Sequence, residues 1–296
     1  REKLKKIIGV RDQRPKKPKL YLSEVQKTEA SYTIQLFKLQ AFGGVHVEGF
    51  LLQPKQHTET TIFTPDPSTL ATTKIPQILA SNSHRVFVPI LIDRNSRHNG
   101  IANREFLYRS AFELGRHIIG YEVQKILALV DVLEDNNDSI GVAGNGEGGL
   151  LSMHAAAIDK RIKKTWVIDH FGPRDRVWDE PAYRNVFGLL NHFGDAEIAR
   201  LIHPRKLIVD PSMTLSVQVP KGTKGKPGRI PSFDLKEIKN EIQRAGLSPG
   251  NIDDYLERPV VNHDVNLLPI EQLGNIQNRS FDEIDQHNQQ LLSKSS

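Results

Sequence analysis

The chain has 296 residues, 38% hydrophobic and 25% charged, with 21 glycines and 17 prolines; this excludes a disordered, collagenous or coiled-coil chain and allows one large buried core. No run approaches the ~18 to 20 apolar residues of a membrane helix, and the lack of cysteine removes disulfides, thiolate metal sites and a cysteine nucleophile together. The net charge of +5 is unevenly placed: the first 20 residues carry +7, from nine Lys or Arg against Glu2 and Asp12, and the remainder carries −2.

That basic start reads as a solvated arm and not as a nucleic-acid platform, because it lacks the interleaved aromatics on which bases stack. Residues 1–9 (REKLKKIIG) are expected to form a short helix ahead of the Pro-broken connector QRPKKPK. As an arm, residues 1–19 are expected to leave stability nearly unchanged when removed. Compact structure is expected from Leu20. Tyr32, Ile34 and Leu36 alternate with polar residues, and Val45, Val47 and Leu51 continue past Gly43-Gly44, which predicts an antiparallel pair. Thr60 to Thr64 adds a third strand, ended by the turn residues TPDPS.

Arg85 to Asp93 (RVFVPILID) is the nearly continuous apolar run of a mid-sheet strand covered on both faces. From Asn103 to Glu134 the period is helical, with Val123, Ile126, Leu127, Val130 and Leu133 on one face and Gly115 and Gly120 placed to bend or divide it. Ser139 to Ala143 is a short strand, followed by the glycine cluster GNGEGG and the helical LLSMHAAAID. Residues 162–168 and 206–210 supply two more strands with the helix DAEIARLI between them. Alternating strands and helices imply a parallel sheet in which Arg85–Asp93, Ser139–Ala143, Lys164–Ile168 and Lys206–Asp210 are neighbours, with Gly146 at its carboxyl end. PKGTKGKPGRIP is read as a basic loop, FDLKEIKNEIQRAG as a helix closed by Gly246, and the last 16 residues as a polar helix decaying into a tail. The expected division is therefore an arm (1–19), one domain (20–280) and a polar helical tail (281–296).

The glycine cluster admits three mechanisms. A phosphate loop needs Lys and Ser/Thr after the last glycine, where this sequence has Leu150-Leu151. The dinucleotide spacing GxGxxG is met at Gly144, Gly146 and Gly149, with Asp169 standing 20 residues further on, but the turn follows several earlier strands instead of opening the fold. The third mechanism is a nucleophile elbow, a sharp turn from a mid-sheet strand into a helix.

Around this turn the sequence resembles the acetyl xylan esterase and dienelactone hydrolase-like branch of the α/β hydrolases, whose elbow commonly reads G-x-S-x-G-G. The resemblance extends over GRHIIGYEVQKILALVDVLE (Gly115 to Glu134) and FGPR…EPAYRNVFGLLNHFGDAEIARLIHPRKLIV (Phe171 to Val209), covering roughly residues 45 to 210. It implies an α/β class, α/β-hydrolase-like three-layer fold, with a mostly parallel central sheet and helices on both faces. It further implies carboxylic ester hydrolysis, such as deacetylation of carbohydrate, with no cofactor and a secreted or periplasmic setting.

Aligning Gly148-Gly149 with the paired glycines puts Gly146 where the serine should be. Glu147, one residue past the tip, is either a substitute carboxylate nucleophile or a favourable charge at a helix N-terminus. By chain order the triad acid is Asp210 and the histidine His263; each also has a plainer role, in the Asp-Pro-Ser turn and in a surface loop respectively. Thr64, Glu147 and Gly148 are the expected oxyanion and pocket residues, and Arg104-Glu105 with Glu122 are expected to form a buried ion pair beneath the elbow. His117, His154, His170, His192 and His203 show no metal-ligand spacing. The expectation is a degenerate hydrolase domain that acts as a structural, ligand-binding or partner-docking module. It would take an ester or carbohydrate ligand, or a companion domain of a longer chain, with neither nucleic acid nor membrane as partner. The alternative is an active esterase using Glu147. A Ser, Asp or Glu oxygen within ~3 Å of a His nitrogen, at the mouth formed by Thr64 to Pro67 and Gly146 to Gly148, discriminates the two.

Overall fold

Residues 1–98, 100–134, 139–211, 228–248 and 272–295 are described by the computed structural model. Eight strands form one sheet in the order β1 (Tyr21–Thr28), β2 (Tyr32–Phe42), β3 (Val45–Pro54), β5 (His84–Pro89), β4 (Glu59–Thr64), β8 (Ile140–Asn145), β9 (Lys164–Ile168) and β10 (Lys206–Asp210). The first three and β5 pair antiparallel, and from β5 through β10 every pairing is parallel. Two short strands, β6 (Ser96–His98) and β7 (Ile101–Ala102), pair separately.

Thr60–Thr64 is a strand, but not the third of the antiparallel group. It lies between β5 and β8, parallel to both, so Arg85–Asp93 and Ser139–Ala143 share a sheet without touching. The sheet run also ends at Pro89, four residues short of Asp93. Proline offers no amide to the ladder, and Ile90 N–H instead bonds the Glu48 carbonyl at 3.0 Å.

Strand residues alternate between two cores, Phe87 and Leu51 facing one and Val86, Val88, Phe50 and Leu52 the other. The larger core is closed by α1 (Glu2–Ile7), α3 (Asn103–Glu113), α4 (Ile118–Glu134), α5 (Glu147–Ile158), α6 (Asp195–Ile202) and α7 (Leu235–Arg244). The smaller is closed by α2 (Ile75–Ser81) and the start of α8 (Leu273–Ser293). Gly115, at φ +62°, divides the helical stretch as expected, whereas Gly120 stays inside α4. A Cβ on Gly120 would lie 2.1 Å from the Ile8 carbonyl oxygen, so its bareness lets α1 dock.

Both ends depart from expectation. Leu4 and Ile8 are fully buried in the main core, Arg14 binds Asp131 at 2.7 Å, and Asp12 binds Arg116 at 2.8 Å and His287 at 3.2 Å. The basic residues ride the outside of a helix whose inner face is aliphatic, so residues 1–14 are a packed element and not a free arm. At the other end, α8 starts eight residues ahead of the expected tail. It buries Ile276, Ser280, Ile284 and Asn288 at four-residue spacing, with Phe281 alongside. Tyr121 Oη donates to Asn288 Oδ1 at 2.5 Å. Among the described residues, no helix is long and apolar enough to cross a membrane.

Candidate functional site

Strand β8 is buried along its whole length and runs into α5 through a single residue, Gly146, at φ +56° and ψ −116°. A side chain in this region costs ~1 to 3 kcal/mol, which glycine avoids. Gly148 presses the elbow onto β4: a Cβ there would stand 1.7 Å from the Thr64 carbonyl oxygen. The elbow thus sits at the carboxyl ends of the parallel strands, where open α/β sheets form their clefts.

A cleft of about 70 Å³ opens above Gly146, room for a few waters or an acetyl-sized group. Asp66, Glu147, His170, Arg174, Arg184 and Asp210 contribute to its walls. Thr64 and Gly148 do not. They are packed backbone to backbone beneath it, and Thr64 Oγ1 has no hydrogen-bond partner among the described residues. Asp210 is buried at the end of β10 and accepts from Trp166 Nε1 at 3.3 Å. His263 lies outside the described residues.

The two amides that an elbow fold aims at an oxyanion come from the residue after the nucleophile and from the loop after the neighbouring strand. Here both are engaged by the chain's own side chains. Glu147 N–H donates to Asp66 Oδ2 at 3.0 Å, and Asp66 N–H donates to Asn145 Oδ1 at 3.1 Å.

Glu147 points inward and is completely buried. Its Oε2 accepts from Arg184 Nη1 at 2.5 Å and Arg94 Nη2 at 3.3 Å, and its Oε1 from Arg104 Nη2 at 3.2 Å. Each arginine has a second carboxylate: Asp66 for Arg94 (2.5 and 2.9 Å), Glu122 for Arg104 (2.9 and 2.6 Å) and Glu180 for Arg184 (2.6 Å). Arg174 reaches Glu180 at 2.9 Å. Four cations thus face four anions in a water-poor interior, the setting in which such pairs are tightly interdependent. Burial alone would raise the Glu147 carboxyl, but Arg184, Arg104 and Arg94 together hold it at about 2. Asp66 is likewise held at about 2, with Arg94 and the amides of Glu147 and Ser68 overriding burial. The expected Arg104–Glu122 pair is present; Glu105 instead binds Arg109 on the surface at 2.7 Å.

His170 is the histidine in the cleft wall among the described residues. Arg184 Nη2 stands 3.4 Å from its Nδ1, and since arginine only donates, the ring proton belongs on Nε2. That nitrogen is 3.9 Å from Asp195 Oδ2 and can donate but not take a proton. Burial, Arg184 and Arg174 hold the ring well below the usual histidine range. No carboxylate stands within ~3 Å of a histidine nitrogen at this mouth among the described residues, the geometry that general-base catalysis requires. Nor does any group of three His, Asp or Glu there suit a metal ion. Sequence reasoning gave no role to Asp66, Arg94, Asn145 or Arg184, although Asp66 falls within the expected mouth at 64–67, Asn145 within the glycine cluster and Arg184 within the family-like stretch EPAYR.

Burial pushes the Asp195 carboxyl up to about 7 against the pull of Arg174 and the Gly172 amide, with Glu241 and Glu180 adding to the rise. A carboxyl raised in the fold binds its proton more tightly there than when unfolded. Stability is therefore complete below pH ~4 and falls as pH rises through ~7, by at most ~1.4 kcal/mol per unit. Asp195→Asn keeps an acceptor for Gly172 N–H, which lies 3.1 Å from Oδ2. The variant is expected to melt above the parent at pH 8, the gap closing towards pH 4. Melting curves at the two pH values check this, and a lower melting point at pH 8 would refute the assignment.

Neither a described protein family nor a curated protein matches the sequence. Among solved structures, a protein described as an acetyl xylan esterase from Bacteroides fragilis superposes with a TM-score of 0.55 at 13% identity. The match covers 70% of this chain and 65% of that one, so this chain spans less than two thirds of that protein's length. Acetyl xylan esterase 1 from a Thermoanaerobacterium species matches at TM-score 0.43 and 18% identity, covering 68% of this chain and 76% of that one. A glucuronoyl esterase from Solibacter usitatus matches at 0.47 and 12%, covering 70% and 72%. The first likeness, with the strand order and elbow described above, shows that the chain has the α/β-hydrolase-like fold.

Proposed function

We propose that this domain is an ester-hydrolase fold turned to binding, a structural, ligand-binding or partner-docking module, and that it does not hydrolyse esters. The observation that carries the proposal is the Asp66 carboxylate on the Glu147 amide. An oxyanion hole stabilises developing negative charge with free donors, and a fixed carboxylate at that amide both removes the donor and repels the charge. Gly146, without a side chain to attack, agrees with this. Glu147 offers no substitute: three arginines hold its oxygens below the elbow surface. An acyl group fits the cleft volume, and the likeness to an acetyl xylan esterase makes acetylated carbohydrate the ligand class to try first.

The test is hydrolysis of p-nitrophenyl acetate by the purified chain and by Gly146→Ser. Neither is expected to exceed the buffer rate, since restoring a hydroxyl leaves Asp66 in place. Turnover that co-elutes with the folded protein would overturn the proposal. A gain confined to Gly146→Ser would show that only the nucleophile was lost.

A further inference from the structure

A groove of about 470 Å³ lies between α1, the end of α3 and the turn at residues 186–192, and shares no residue with the elbow cleft. Four cationic side chains line it, Lys3, Lys6, Arg11 and Arg116, and no Asp or Glu does. Arg116 is bound by Asp12, but Lys3, Lys6 and Arg11 have no ion pair with any described residue. The remaining wall mixes His117, Asn191 and His192 with apolar residues, two of which stand open to solvent: Phe112 is 48% exposed and Phe187 85%, the latter carried outward ahead of Gly188, whose φ is +75°. Two aromatic rings left in water beside unneutralised cations make a surface with an unmet complement.

We propose that this groove docks an acidic, extended polypeptide segment of a partner protein, its carboxylates on Lys3, Lys6 and Arg11 and its apolar side chains against Phe112 and Phe187. An extended segment sends alternate side chains to opposite sides, which suits one cationic and one aromatic wall. A bilayer is flat and would meet the rim of a hollow without reaching its floor. Nucleic acid would need a longer cationic track than three free charges provide. This gives the binding-module reading a partner class, yet it stands on residues that do not line the elbow cleft. An esterase result therefore leaves it untouched, and a failed docking result leaves the elbow reading intact.

The probe is a fluorescein-labelled octapeptide in which Glu alternates with Leu, titrated by anisotropy, with oligo-dT and phosphatidylserine vesicles as rivals. Saturable binding of the peptide, weakening with salt, is expected. Lys3→Gln/Lys6→Gln/Arg11→Gln together, and Phe187→Ser alone, should each weaken it about tenfold with an unchanged melting point, since these side chains are exposed. Absence of saturable binding, equal binding by both variants, or tighter binding to oligo-dT or to the vesicles would overturn the proposal.

Discussion

Glu147→Gln should lose about 3–5 kcal/mol of stability at neutral pH, the usual effect of removing one partner from a buried ion pair. Glutamine keeps the shape and one acceptor, but Arg184, Arg104 and Arg94 would then confront three remaining acids across a fully buried site. Urea unfolding at pH 7 measures it. The pH dependence has a definite sign: with Glu147 held at about 2 in the fold, its contribution is present above pH ~4 and lost as pH falls towards 2, so parent and variant should converge in acid. A catalytic carboxylate predicts the reverse, because neutralising a strained functional group often stabilises a protein. Equal midpoints at pH 7 would remove the structural role assigned to Glu147.

The second large effect concerns the N-terminus. Deleting residues 1–11 removes Leu4 and Ile8 from the main core and exposes the seat at Gly120 on which α1 rests. Truncating one such aliphatic side chain costs ~2–5 kcal/mol. For a domain of this size, each kcal/mol shifts the melting point by ~2–4 °C, so a fall of about 10 °C or more is expected. Leu4→Ala alone should reproduce part of it. A melting point unchanged by the deletion would return these residues to the status of an arm.

How the fold divides between what was legible and what was not follows from the range of each interaction. The β8–Gly146–α5 turn, the helix at Asp195–Ile202 and the strand at Lys206–Asp210 were readable because apolar period, glycine and turn chemistry act over a few neighbouring residues. Charge patterning misled at both ends of the chain. The basic residues of α1 masked two aliphatic contacts, and Ser280 and Asn288 disguised the buried stripe of α8, because a polar residue announces solvent until its partner is known. The placement of β4 between β5 and β8 was not readable either, since the strand's own composition is the same on either side of its neighbour.

The site shows the same limit more sharply. That Gly146 forms the turn from β8 into α5 was legible in the sequence alone, because the elbow is local. That Glu147 is locked among arginines, and that Asp66 occupies its amide from 81 residues away, was decided by the tertiary structure. A carboxylate's chemistry depends on which charges the fold places within a few ångströms of it, and those charges come from α3, the loop after β5 and the turn at Arg184, segments with no local signal linking them.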